Sequence, residues 1–138
     1  MLTTNRILVV EDFEPFRLFI TSLLLEKSEL QVIYEAADGL EAVRGAQELN
    51  PDLILMDIGL PGLNGIEAAR QILEHAPASR VVFLTQESSA EVVREALGIG
   101  ALGYVHKPRA GVDLVPAMVA ALEGKQFVSG GLEGPSVG

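Results

Sequence analysis

Residues 51–65 read PDLILMDIGLPGLNG. Leu53, Ile54, Leu55 and Met56 form an unbroken apolar run, and Asp57 ends it. A short run without polar alternation fits a strand buried on both faces, as in a parallel sheet. A carboxylate at the end of such a strand is unfavourable unless that end opens onto solvent or a cation.

The same pattern recurs along the chain. Further apolar runs lie at 7–10, 32–34, 81–84 and 103–105. Helical periodicity fills the gaps between them. Phe16, Phe19, Ile20 and Leu23 make one stripe; Ile66, Ala69 and Leu73 another. Val115, Met118, Val119 and Leu122 make the clearest, and Ala42, Val43 and Ala46 the weakest. Asn64 is placed to cap one helix. Asp38 with Glu41, and Ser88 with Glu91 ahead of Val92, Val93 and Ala96, have capping-box spacing. All five stripes read as core packing. Strands alternating with helices predict an α/β fold, a doubly wound five-stranded parallel sheet with five helices.

A chain of 138 residues, 49% of them hydrophobic, suits one domain with one core. No apolar run approaches the length of a membrane span. The first residues, MLTTNRILVVED, lack the basic region and cleavage site of a signal peptide. With no cysteine, disulfides and thiolate metal sites are excluded, and a cytoplasmic location is expected. The net charge of −9 and the lack of any Lys/Arg cluster argue against direct contact with nucleic acid. Residues 1–127 are expected to fold. Residues 128–138, which include SGGLEGPSVG, read as a flexible linker-like tail.

In open α/β sheets ligands bind outside the carboxyl ends of the strands. Glu11 and Asp12 leave the first run, Asp57 the third and Thr85 the fourth. The fifth leads through His106 to Lys107, and Ala36-Ala37 after the second carries no chemistry. Three close carboxylates raise one another's pKa unless a cation is present. Oxygen ligands alone suit Mg²⁺, and an ammonium and a hydroxyl are donors for phosphoryl oxygens. The set points to phosphoryl transfer to a carboxylate. Each residue also has a plainer reading. Asp12 is placed to cap a helix beginning near Phe13, Glu11 to be a solvated strand end, Thr85 a β-former and Lys107 a surface charge. Asp57, seven residues before Asn64, is poorly placed to cap that helix, and four such accidents beside it at one sheet edge are harder to accept than one site.

The motifs ILVVED, PDLILMDIGLPGLNGIEAARQI, VVFLT and GALGYVHKP, in that order, resemble the receiver domain of two-component response regulators over about residues 5–127. LPGLNGIEA, GALGYVHK and LEGKQFVS most resemble the LuxR/FixJ/NarL-type subfamily, whose output is a helix-turn-helix domain. The resemblance implies a flavodoxin- and CheY-like strand order 2-1-3-4-5. It implies that Asp57 accepts a phosphoryl group from a sensor histidine kinase. Glu11, Asp12, Asp57 and the Gly59 carbonyl would hold Mg²⁺, and Lys107 would bind a phosphoryl oxygen. Thr85 would be the switch hydroxyl and Tyr104 the switch aromatic, turning inward as Thr85 moves; its plainer reading is an aromatic at the sheet edge. The domain would be a phosphoacceptor rather than an enzyme, either a stand-alone receiver or, as the tail and the subfamily match favour, part of a parent protein with a transcriptional output. A weak homodimer through the first and last helices, or the last strand and helix, is expected.

Some positions depart from the family or tune it. Gln86 stands where a small residue is usual and is expected to narrow the entrance. Glu87 and Gly59 occupy positions that tune phosphoryl lifetime. His106 is expected to point away from the site, and Lys107–Pro108 to be a candidate cis bond. Three rivals fare worse. A haloacid-dehalogenase-type phosphatase wants an Asp where Gly59 stands. A nucleotide-binding module wants glycines where EDFEPF stands. A degenerate receiver that only binds proteins would not need all five site residues.

Overall fold

The computed structural model describes residues 4–86 and 89–129. Strands β1 (Asn5–Val10), β2 (Leu30–Ala36), β3 (Leu53–Asp57), β4 (Arg80–Thr85) and β5 (Gly103–His106) alternate with helices. These are α1 (Glu14–Leu25), α2 (Gly39–Leu49), α3 (Gly65–His75), α4 (Ala90–Gly98) and α5 (Ala110–Leu122). A short 3-10 turn, Lys107–Arg109, leads into α5. All strand pairs are parallel, and these five strands lie in the order β2-β1-β3-β4-β5.

The sixth strand, β6 (Phe127–Val128), extends the expected order by one. Two residues are too few to show a period, so the sequence offers no sign of it. Folded structure therefore runs to Ser129, which is buried, rather than ending at residue 127. The rest of the expected tail, 130–138, lies outside the described residues, as do Glu87 and Ser88.

Strand alternation divides the core into two layers. Ile7, Val9, Leu55, Leu84 and Val105 pack toward α1 and α5. Leu8, Val10, Met56, Phe83 and Tyr104 pack toward α2, α3 and α4. The central strand β3 is buried along its whole length.

The caps explain where the helices begin. Asn64 Oδ1 accepts the Glu67 N–H at 2.9 Å. Asp38 Oδ1 accepts the Glu41 N–H at 2.8 Å, and Glu41 in turn accepts the Ala37 N–H. Helix α4 is capped by Ser89, whose hydroxyl takes the N–H groups of Glu91 and Val92. Asp12 does not cap α1: the cap position is Phe13, and no side chain bonds there. No cis peptide bond occurs among the described residues, so Lys107–Pro108 is trans. Among the described residues no helix is long and apolar enough to cross a membrane.

Candidate functional site

Parallel pairing brings the strand ends together. Asp57 is the last residue of β3, opposite Leu84, and Thr85 is the last of β4, opposite His106. Glu11 follows β1, its N–H donating to the Ala36 carbonyl. Helix α3 begins hard against β3: the Gly65 N–H donates to the Ile58 carbonyl at 2.9 Å. A Cβ on Gly65 would lie 2.1 Å from the Asp57 carbonyl oxygen, so only glycine allows this approach. Gly62, at φ +70, turns the loop between them.

Carboxylate oxygens of Glu11, Asp12 and Asp57 all lie within 4.8 Å of one another. Glu11 is fully buried, Asp57 nearly so, and Asp12 is exposed. Lys107 reaches them with its Nζ 2.9 Å from Glu11 Oε1 and 3.4 Å from Asp57 Oδ1. One ammonium thus faces three carboxylates. Despite this ion pair, that buried Glu11 oxygen is left without a hydrogen-bond partner. Burial, more than any other cause, pushes the Asp57 and Glu11 carboxyls above their ordinary values, with Lys107 opposing the rise. Asp57 Oδ1 also accepts the Gly59 N–H at 3.1 Å.

This donor set fits a divalent cation. It consists of oxygens only, carries surplus negative charge, and includes a buried carboxylate oxygen that no hydrogen bond satisfies. Hard cations such as Mg²⁺ suit it better than soft ones.

Residues without a clear signature in the sequence support the site. Phe16, grouped by its spacing with the core stripe of α1, lies under Lys107, with Nζ 4.9 Å from the ring centroid. Arg17 Nη1 donates to the Glu11 carbonyl at 2.7 Å and pairs with Glu35 at 3.3 Å. The Phe13 N–H donates to Glu11 Oε2 at 3.1 Å. Phe16 could have been suspected from its place one turn beyond Glu11 and Asp12; Arg17 carries no such sign.

Thr85 and Tyr104 are in phase with the other layer. Both are buried. Tyr104 is not at the sheet edge, because β6 lies beyond β5, and its ring is already inward, in the core beneath α4. A groove of about 570 Å³ opens on this side, lined by Asp57, Thr85, Gln86 and Lys107 at one end and Arg70 and Glu95 at the other. Arg70 bonds Glu67 and approaches Glu95 across the groove. Gln86 is exposed at the mouth. His106 is half-buried, and its N–H is held by Ser129.

A profile of the response regulator receiver domain matches residues 7–119. The transcriptional regulatory protein LiaR of Bacillus subtilis is 36% identical over 120 residues, which are 87% of this chain and 57% of that protein. The protein-glutamate methylesterase/protein-glutamine glutaminase of Thermotoga maritima is 40% identical over 117 residues, 83% of this chain and 34% of that one. The chain therefore spans between about a third and three fifths of these relatives. Among solved structures, a two-component response regulator of the LuxR family from Aurantimonas sp. SI85-9A1 superposes with a TM-score of 0.90 at 35% identity, over 94% of this chain and 93% of that one.

Proposed function

This chain belongs to the response regulator receiver domain family, and on that premise we propose that Asp57 accepts a phosphoryl group from the phosphohistidine of a sensor histidine kinase. The observation that carries the reading is the convergence of three carboxylates, Glu11, Asp12 and Asp57, with Lys107 beside two of them.

An Asp57 carboxylate oxygen forms the new P–O bond as the donor's P–N bond breaks, and the released imidazole keeps the bonding pair. Glu11, Asp12, Asp57 and the Gly59 carbonyl would hold a Mg²⁺ ion, which would offset charge on the transferring group. Lys107, fixed over Phe16, binds a phosphoryl oxygen and keeps it in line. Arg17 and the Phe13 N–H orient Glu11. The acyl phosphate later hydrolyses, which gives the signal a lifetime.

The phosphoryl group adds charge and acceptor oxygens at the end of β3. Thr85 is drawn to them from β4, and Tyr104 holds the inward position that the moved Thr85 leaves room for. A two-state equilibrium over β4, β5 and the helices beside them is biased in this way. The output is a DNA-binding domain of a longer regulator, as the likeness to LiaR and to the LuxR-family structure supports. A weak homodimer uses the face of α1 and α5, where Phe19, Val112 and Val119 are exposed.

Intact mass after incubation with acetyl phosphate tests the proposal. One added phosphoryl group is expected with Mg²⁺, and none without Mg²⁺ or in Asp57→Asn. No Mg²⁺-dependent adduct, with either acetyl phosphate or a phosphorylated kinase domain as donor, overturns it. Gln86→Ala is expected to speed labelling by acetyl phosphate, since Gln86 narrows the mouth; an unchanged rate removes that role.

A further inference from the structure

The sixth strand has no part in the chemistry above, yet it grips the residues that would switch. Phe127 and Val128 pair with Gly103 and Tyr104. The Phe127 N–H donates to the Leu102 carbonyl, and the Ser129 N–H to the Tyr104 carbonyl, each at 2.9 Å. The His106 N–H returns the contact, donating to Ser129 Oγ at 3.0 Å. Ser129 therefore holds both ends of the segment 104–106. That segment carries Tyr104, pairs with Thr85 at His106, and leads directly into Lys107.

Ser129 is itself firmly seated. It is 2% exposed. Its side chain lies beside the Asp113 carboxylate of α5, which Arg109 grips through two hydrogen bonds of 2.8 and 3.3 Å.

The side chains of β6 divide between the two layers. Residues in register on parallel strands point to the same face. Val128 accordingly packs into the α2/α3/α4 layer beside its partner Tyr104, and Phe127 into the α1/α5 layer. Val128 thus occupies the outer flank of the Tyr104 ring. An outward Tyr104 would have to pass over that flank.

We propose that residues 127–129 are a latch that docks on β5 only while Tyr104 is inward, so that phosphorylation of Asp57 tightens the latch. The inference rests on the phosphoacceptor reading above. Coupling of this kind is reciprocal: a docked latch strengthens the phosphorylated state by the factor that state strengthens docking.

Hydrogen exchange on the 138-residue chain tests this. It is measured with and without beryllofluoride and Mg²⁺, and fluorine NMR records whether beryllofluoride binds at Asp57. The amides of His106, Phe127 and Ser129 are expected to exchange about fivefold or more slowly when it binds. Ser129→Ala removes the acceptor for His106 and is expected to weaken beryllofluoride binding about fivefold. Phe127→Ala, which loosens the latch from the other layer, is expected to act in the same direction. Unchanged exchange at these amides with beryllofluoride bound overturns the latch and leaves the phosphoacceptor reading standing. So does a Ser129→Ala protein that melts earlier but binds beryllofluoride as the wild type does. Failure of the wild type to bind beryllofluoride at all overturns the phosphoacceptor reading, and the latch with it.

Discussion

Two aspartates of this domain are almost equally buried, and their environments treat them oppositely. Asp57 is 6% exposed and Asp113 is 5% exposed. The Asp57 carboxyl is raised above its ordinary value, chiefly by burial. The Asp113 carboxyl is lowered, chiefly by its hydrogen bonds from Arg109. Solvent exposure alone therefore does not set the charge state of a carboxylate; its depth in the fold and its partners do. Asp113 has a guanidinium of its own, at i−4 on the same helical stretch. Asp57 shares one ammonium with Glu11 and stands close to Asp12. Asp113 is an anchor whose charge is compensated. Asp57 belongs to a site left under-compensated, and that imbalance is what a cation or a phosphoryl group can exploit.

Breaking the compensation at each place sharpens the contrast. The largest effect is expected from Lys107→Met. It leaves Glu11, which is fully buried, and Asp57 without an opposite charge. Denaturant melts in EDTA should show a loss of about 3 kcal/mol. Added Mg²⁺ should recover much of that loss, because the metal supplies the missing positive charge. An equal loss with and without Mg²⁺ would show that the carboxylates do not bind it.

Asp113→Asn comes next. It removes a charge-assisted pair, but the Arg109 side chain is 47% exposed and screened by water. The expected loss is about 1 kcal/mol, below the usual range for hydrogen bonds to charged groups because water screens the pair. Mg²⁺ should not change it. A Mg²⁺-dependent loss would mean that the two sites are not independent.

Asp57→Asn should do the reverse. It removes one of three crowded carboxylates and should raise the metal-free melting temperature by about 2–4 °C. Saturating Mg²⁺ should erase or invert the gain, since the variant has lost a ligand. Calorimetry with EDTA and with Mg²⁺ checks both halves.

The contrast also shows what the sequence can reveal. Glu11, Asp12, Asp57, Thr85 and Lys107 were legible because each follows a recognisable strand, and parallel topology then sends all the strand ends to one edge. Asp57 ends a dry strand, where a carboxylate is conspicuous. Asp113 gives no such warning. Near the start of a helix, four residues from Arg109, it resembles any exposed charge. Its carboxylate also bonds Ser129, which the sequence presents as part of a Gly- and Ser-rich tail that begins at residue 128. The cap expected of Asp12 failed for a related reason. The cap position falls on Phe13, and the Phe13 N–H is taken by Glu11 instead. Periodicity finds elements, whereas contacts made by two or three residues across the fold leave no period to find.

The smallest and most specific effect is in the pH dependence of stability. A carboxyl raised on folding binds its proton more tightly in the native state, so stability falls as pH rises through the interval above its unfolded value. Metal-free wild type should therefore gain stability as pH drops from neutral toward the ordinary carboxylate range, because Asp57 and Glu11 take up protons there. A carboxyl lowered on folding does the opposite. The stability that Asp113 contributes is complete above its unfolded value and is lost as pH falls through its folded value. The two limbs should thus meet in a maximum on the acid side of neutrality. Asp57→Asn should flatten the neutral limb and leave the acid limb alone, while Asp113→Asn should flatten the acid limb only. Mg²⁺ should suppress the neutral limb in the wild type, because bound metal favours the ionised carboxylates that protonation removes. A wild-type profile that rises steadily from acid to neutral pH, with and without EDTA, would mean that Lys107 alone compensates the site and that Asp57 and Asp113 differ less than their surroundings imply.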